Sequence, residues 1–205
     1  MYVSRLALNM PSRRSVLASL GSAGIAATAG CSTVRDSKSL SDPTVSGDSG
    51  QSKTLVFSSD GTEVAKLNFS GAISSGQINL ESELWHERGT TVESITLQVW
   101  MPSNRPGPAA DVAVVSPVEG DSSPAPFISP YTPERGKGTV IEITDLDDLK
   151  DETISTINLI VQPREKAGTE LIIDSEIELG GGGLFTSGYS LSGRFDLDFP
   201  ALEDQ

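Results

Sequence analysis

The chain has 205 residues, with 28 Asp and Glu against 15 Lys and Arg, one His and one Cys, for a formal net charge of -13. A single cysteine excludes an intramolecular disulfide, a CxxC redox pair and a thiolate zinc cage, and a single histidine excludes a two-histidine metal centre. The negative charge opposes the counterion release that drives nucleic-acid binding, so no nucleic-acid partner is expected.

The first segment reads as an address. Ser12-Arg13-Arg14-Ser15-Val16-Leu17 precedes a run of apolar and small residues that ends at Cys31. About 20 apolar residues are needed to span a bilayer, whereas the core of a signal peptide needs about 7 to 15 behind a basic start. Residues 1–30 therefore read as a signal peptide, and Met10 could serve as its start. The pair Arg13-Arg14, followed by Val16 and Leu17, resembles the twin-arginine export signal, which carries folded proteins; Val16 stands where that signal usually has Phe. Thr28-Ala29-Gly30-Cys31 resembles a lipobox, with Thr28 in place of the usual Leu. The resemblance implies lipidation of Cys31, with the membrane as partner and the outer face of the cytoplasmic membrane as location. Ala27-Thr28-Ala29 is also an A-x-A cleavage pattern, which would leave Cys31 as a free thiol near the terminus.

Residues 31–52 are rich in Ser, Asp, Gly and Thr and nearly devoid of large apolar side chains, so a disordered tether is expected there. Such a tether of about 21 residues has an end-to-end distance of roughly 25 Å.

From Lys53 to Pro200 the apolar residues alternate. Ile78, Leu80 and Leu84 share one phase; so do Ile95, Leu97, Val99 and Met101; Ile157, Leu159 and Val161; Leu171, Ile173, Ile177 and Leu179; and Tyr189, Leu191, Phe195, Leu197 and Phe199. The opposite phase carries charge, so each strand has a buried and a solvated face. The pattern predicts an all-β domain over 53–200, a single antiparallel β-sandwich of about nine strands, with a closed barrel as the alternative. Residues 201–205 are expected to be a disordered tail. Asp60-Gly61 marks a hairpin, and Arg88-Gly89 breaks the next apolar pair. Residues 102–133 hold 8 of the 12 prolines, which predicts a long irregular excursion interrupted by a short strand at DVAVV. The segment VIEITDLDDLKDETISTINLIV resembles the strand, Leu-x-x-Leu corner and strand of immunoglobulin-like and fibronectin-like sandwiches, although Ile154 or Ile157 stands where a corner tyrosine is usual.

Six lysines against nine arginines, with abundant Ser, Thr, Gly and acidic residues, resemble the composition of proteins from halophilic archaea. The whole chain thus resembles the twin-arginine-exported lipoproteins of haloarchaea; an acidic mesophilic secreted domain is the rival reading.

No catalytic constellation is identifiable, and neither an enzyme nor a cofactor is expected. Asp145, Asp147 and Asp148 could gather carboxylates around Ca2+, although the run lacks an EF-hand pattern and reads first as a solvated corner. His86 is expected at a strand end. Trp85 and Trp100 fall on the polar phase; if their strands pair across the Gly89 turn, they stand roughly 20 Å apart, too far for one stacking surface. Phe127 and Tyr131, among the prolines, are the best contact candidates, although packing into the core is the first expectation for Phe127. Asn68-Phe69-Ser70 is a glycosylation sequon on an outward phase. The functional expectation is a non-catalytic surface module contacting another envelope protein. A binder of polysaccharide, small ligand or Ca2+ is the alternative, and a carboxylate-dependent hydrolase the minor one.

Overall fold

A computed structural model describes residues 37–103, 107–119, 127–134, 136–144, 146, 155–164, 167–181 and 188–202. Arg13, Arg14, Cys31, Asp145, Asp147 and Asp148 lie outside them.

The strands are β1 (Ser37–Leu40), β2 (Thr44–Asp48), β3 (Ser52–Ser59), β4 (Thr62–Ser74), β5 (Gln77–His86), β6 (Thr90–Trp100), β7 (Ala110–Glu119), β8 (Phe127–Tyr131), β9 (Thr139–Thr144), β10 (Ser155–Pro163), β11 (Glu170–Gly181) and β12 (Gly188–Asp198). They form two six-stranded sheets. Sheet 1 has the order β1-β12-β11-β6-β9-β8, and sheet 2 the order β2-β3-β4-β5-β10-β7. The all-β sandwich expected from the alternation is present, as 12 strands rather than about nine.

Three expectations are corrected at the margins. Residues 37–48 belong to the sandwich: β1 joins sheet 1 beside β12 and β2 joins sheet 2 beside β3, so of the expected tether 31–52 only residues 31–36 lie outside the described sandwich. Short, mostly polar strands carry no apolar alternation; here edge pairing with an existing sheet holds them, with Leu40 the one side chain of β1 packed against the core. The β1–β12 pair is parallel, so the sandwich is not purely antiparallel. Of the expected tail 201–205, Ala201 and Leu202 instead lie in a 3-10 turn, Pro200–Leu202, and Leu202 packs against the core; 203–205 lie outside the described residues.

The inner faces carry the predicted alternating residues. Phe69 of β4 meets Phe195 of β12 edge to face, with centroids 4.7 Å apart and planes at 74°, which joins the two sheets at the centre. The Asp60-Gly61 turn forms as read, with φ of 53° and 80°, the mirror-image turn whose twist matches a hairpin. Ser75-Gly76 repeats it between β4 and β5, with φ of 53° and 77°.

The turn at Gly89 was expected to join neighbours, yet β5 lies in sheet 2 and β6 in sheet 1. Trp85 therefore pairs with Lys66 of β4, and Trp100 with Ile172 of β11. The Trp pair stands on opposite sheets, and the distance derived from hairpin pairing does not apply. The proline-rich stretch is also more regular than expected, since it contains the ten-residue β7 and the edge strand β8.

Candidate functional site

The sandwich has two poles. At the pole where β1 begins, Ser37 stands beside Gly188, the Asp60-Gly61 hairpin turns back, and β5 ends at His86. At the other pole lie the end of β6, the start of β7 and the start of β9.

The second pole contains a cleft of about 440 Å³, bordered by Trp100 and Met101, the Gly107–Ala110 stretch and the Gly136–Gly138 turn. The local sequence explains the opening. Pro102 and Pro108 withhold ladder donors, so the chain leaves both sheets here. Gly138, at φ 68°, passes so close to the Val99 carbonyl and Trp100 that a Cβ would collide with both. Backbone bonds then fix the rim: Gly168 N–H donates to Pro102 O at 3.0 Å and Arg164 N–H to Ala109 O at 2.8 Å. The Gln98 amide donates to Lys137 O at 2.8 Å.

Trp100 faces outward but is only 7% exposed. The Arg194 guanidinium lies 5.5 Å from its ring centroid and is itself paired with Asp174. Trp100 is therefore a wall of the cleft rather than an open platform. Arg164 grips Asp111 with two hydrogen bonds at the same pole, holding the Asp111 carboxyl below its ordinary range.

Tyr131 and Phe127 lie on edge strand β8, on its outer phase, and are 44% and 61% exposed. The first expectation for Phe127, burial in the core, is corrected: Ile128 takes the inner phase of this edge strand, which leaves Phe127 facing out. Tyr131 donates its hydroxyl to Glu142 at 2.8 Å, which raises its pKa. Thr132, the next residue, borders the cleft, so one aromatic edge and the cleft are continuous along the chain.

The other candidates are separated from this pole. Asn68 lies mid-sheet between Thr54 and Glu83, half-buried, with its side-chain oxygen accepting from Thr54 at 3.0 Å. His86 ends β5 as expected and is fully buried. Thr90 donates its hydroxyl to Glu87 O at 2.8 Å, so its oxygen is left to accept from His86 Nδ1, also at 2.8 Å. This knits the Gly89 crossover together and leaves the imidazole away from solvent. Among the described residues, no group of three or more His, Cys, Asp or Glu is placed to hold a metal.

Sequence reasoning missed the Gly136–Gly138 turn as a rim, although Pro133, Gly136 and Gly138 together signal a chain reversal. It also missed Lys38, whose ammonium donates to Ser59 and Asp60, both at 2.8 Å.

The fold and this pole define an all-β two-sheet sandwich domain with a loop-bordered cleft at one end. The chain belongs to the family described as Domain of unknown function (DUF8121), whose model matches residues 37–201. No curated protein matches the chain. Among solved structures it is similar to the GAE domain of GGA2p from Saccharomyces cerevisiae, at 11% identity and a TM-score of 0.36, covering 76% of this chain and 97% of that one. It is also similar to a collagen-binding domain from a Staphylococcus aureus adhesin, at 10% identity and 0.39, covering 63% and 95%. A third is the full-length major pilin SpaD from Corynebacterium diphtheriae, at 12% and 0.40, covering 58% and 30%. Likenesses this distant set neither the topology nor the function of this chain.

Proposed function

We propose that this protein is a non-catalytic cell-surface lipoprotein of the twin-arginine-exported, haloarchaeal kind. A lipid on Cys31 holds it at the outer face of the cytoplasmic membrane, and its sandwich, of immunoglobulin-like character, serves as an interaction module for another envelope protein. The observation that carries the reading is the position of the cleft. It opens at the pole opposite the start of β1, where a chain anchored through its N-terminus presents its free end. Tyr131 and Phe127 add exposed aromatic area along the adjoining edge, the kind of side chain that anchors protein interfaces.

Cross-linking mass spectrometry on intact producing cells tests the module. Recurrent links from Lys137, at the cleft rim, to one envelope protein are expected, and their loss in a Tyr131→Ala, Phe127→Ala variant that still folds. Links scattered over the surface without a recurrent partner would overturn the reading. The anchor is tested separately: Cys31→Ser should move the exported protein from the membrane to the medium, and continued membrane association would refute lipidation.

A further inference from the structure

The outer faces of the two sheets differ in chemistry. Sheet 1 exposes Glu142, Glu170, Asp174, Glu176, Glu178, Asp196 and Asp198 around Arg194. The centre of sheet 2 is instead mostly uncharged. Across three neighbouring strands, Ala72, Asn79 and Ile160 stand in one row, and Ser70, Glu81 and Asn158 in the next. All six face outward, because their strand neighbours Leu80 and Leu159 are buried.

These rows line a trough of about 410 Å³. It exists because β4 offers only Ser70 and Ala72 on this face, so the surface is low beside the longer side chains of β5 and β10. One side is raised by a β-bulge. The register between β10 and β7 skips from Asn158–Ser116 to Leu159–Val114, which leaves Val115 as the extra residue, 58% exposed beside the trough.

We propose that this trough binds a neutral glycan. Three observations exclude other occupants. Mid-sheet, the backbone groups of β4, β5 and β10 are engaged in their ladders, so an extended peptide cannot add itself as a strand. A sulfated or phosphorylated polymer meets Glu81 in the trough and a chain of net charge -13 around it. A cation finds one carboxylate, Glu81, where calcium needs six to eight oxygens. What the trough does offer is two amides, a carboxylate and a hydroxyl interleaved with Ala72, Ile160 and Val115. Amides both donate and accept, as sugar hydroxyls do, and the aliphatic side chains suit the C–H face of a pyranose ring. Three strands span about 10 Å, the scale of a disaccharide.

The test uses the whole chain in affinity electrophoresis through gels containing soluble neutral polysaccharides of glucose, mannose or galactose. Retardation by at least one is expected, with amide NMR shifts on adding it confined to residues 70–72, 79–81, 115 and 158–160. Asn158→Ala and Asn79→Ala should each weaken association by about tenfold, the effect of losing one well-placed hydrogen bond. Ala72→Arg, which fills the trough from an exposed position, should abolish it, while Glu176→Gln on the opposite sheet should leave it unchanged. Absence of retardation by all three polymers, or retardation that survives Ala72→Arg, would overturn the proposal. Because the trough is a different surface from the cleft, its failure leaves the envelope-protein reading standing, and the reverse holds as well.

Discussion

Phe199 is fully buried just past the end of β12, and its ring lies over the one residue of β4 that has no side chain. A Cβ on Gly71 would stand 2.5 Å from Phe199 Cζ, well inside contact distance, and the Phe199 ring is itself fully buried. Gly71→Ala should therefore destabilise the domain by about 1–3 kcal/mol, the ordinary cost of overpacking a core, read as a lowered midpoint in thermal or denaturant unfolding. Tyr189 gives a second residue-scale expectation. Partial burial, and then the Glu87 carboxylate beside it, raise its pKa above the ordinary 10.0. The fold thus favours the protonated phenol. This contribution is complete below pH 10 and is lost as pH climbs through the raised value, so Tyr189→Phe should flatten the alkaline limb of the stability curve. Identical limbs in the two proteins would assign the alkaline loss elsewhere, for instance to Tyr131, whose pKa is also raised. At this scale the sequence was highly legible: the in-phase residues from Ile78 to Phe199 are buried almost without exception, because strand period alone decides which side chain faces in.

Period does not decide which sheet a strand joins, and that is where the reading of elements failed. Trp85 and Trp100 have the phase expected, but the pairing expected across Gly89 does not form, because the chain crosses there from one sheet to the other. A hairpin and a crossover both need a turn residue with positive φ, so Gly89 alone could not distinguish them. Strands β1 and β2 were missed for a different reason. Their residues are mostly polar: both strands are held by ladder bonds, and β1 also by the Lys38 contacts to Ser59 and Asp60 and by Leu40 against the core, too little apolar patterning to mark a strand. The cleft was half legible: the proline density marked where the ladders stop, but the close approach of Gly138 to Val99 depends on β6 and β9 being neighbours. The ion pair allows a prediction for the element. Lys38 holds the Asp60 carboxyl below its ordinary 3.8, so the contact is complete above that pH and is lost as pH falls through the lowered value. Hydrogen-exchange protection of β1 amides, taken relative to the intrinsic exchange rate at each pH, should fall on acidification through that range, and Asp60→Asn should show the lower protection already at neutral pH. Protection of β1 that is unaffected by either change would show that the parallel ladder with β12 suffices alone.

At the scale of the whole molecule, the two sheets set an acidic face against one whose centre is mostly uncharged, and the two poles separate the start of β1 from the cleft. The sequence announced the charge but not its partition, because which acids share a face follows from strand order as much as from phase. Strand order also makes the first element wait for the last. β1 pairs with β12, so Leu40 meets Leu191 across almost the full length of the domain. Contacts this far apart in sequence slow folding, since the loop must close before they contribute. On the ribosome, β1 emerges first and stays without its partner until residues 188–191 have been made. Until then the growing chain presents sheet 1 with β12 missing between β1 and β11, an unfinished edge open to association with other chains. The sandwich therefore completes itself only once its last strand has been made.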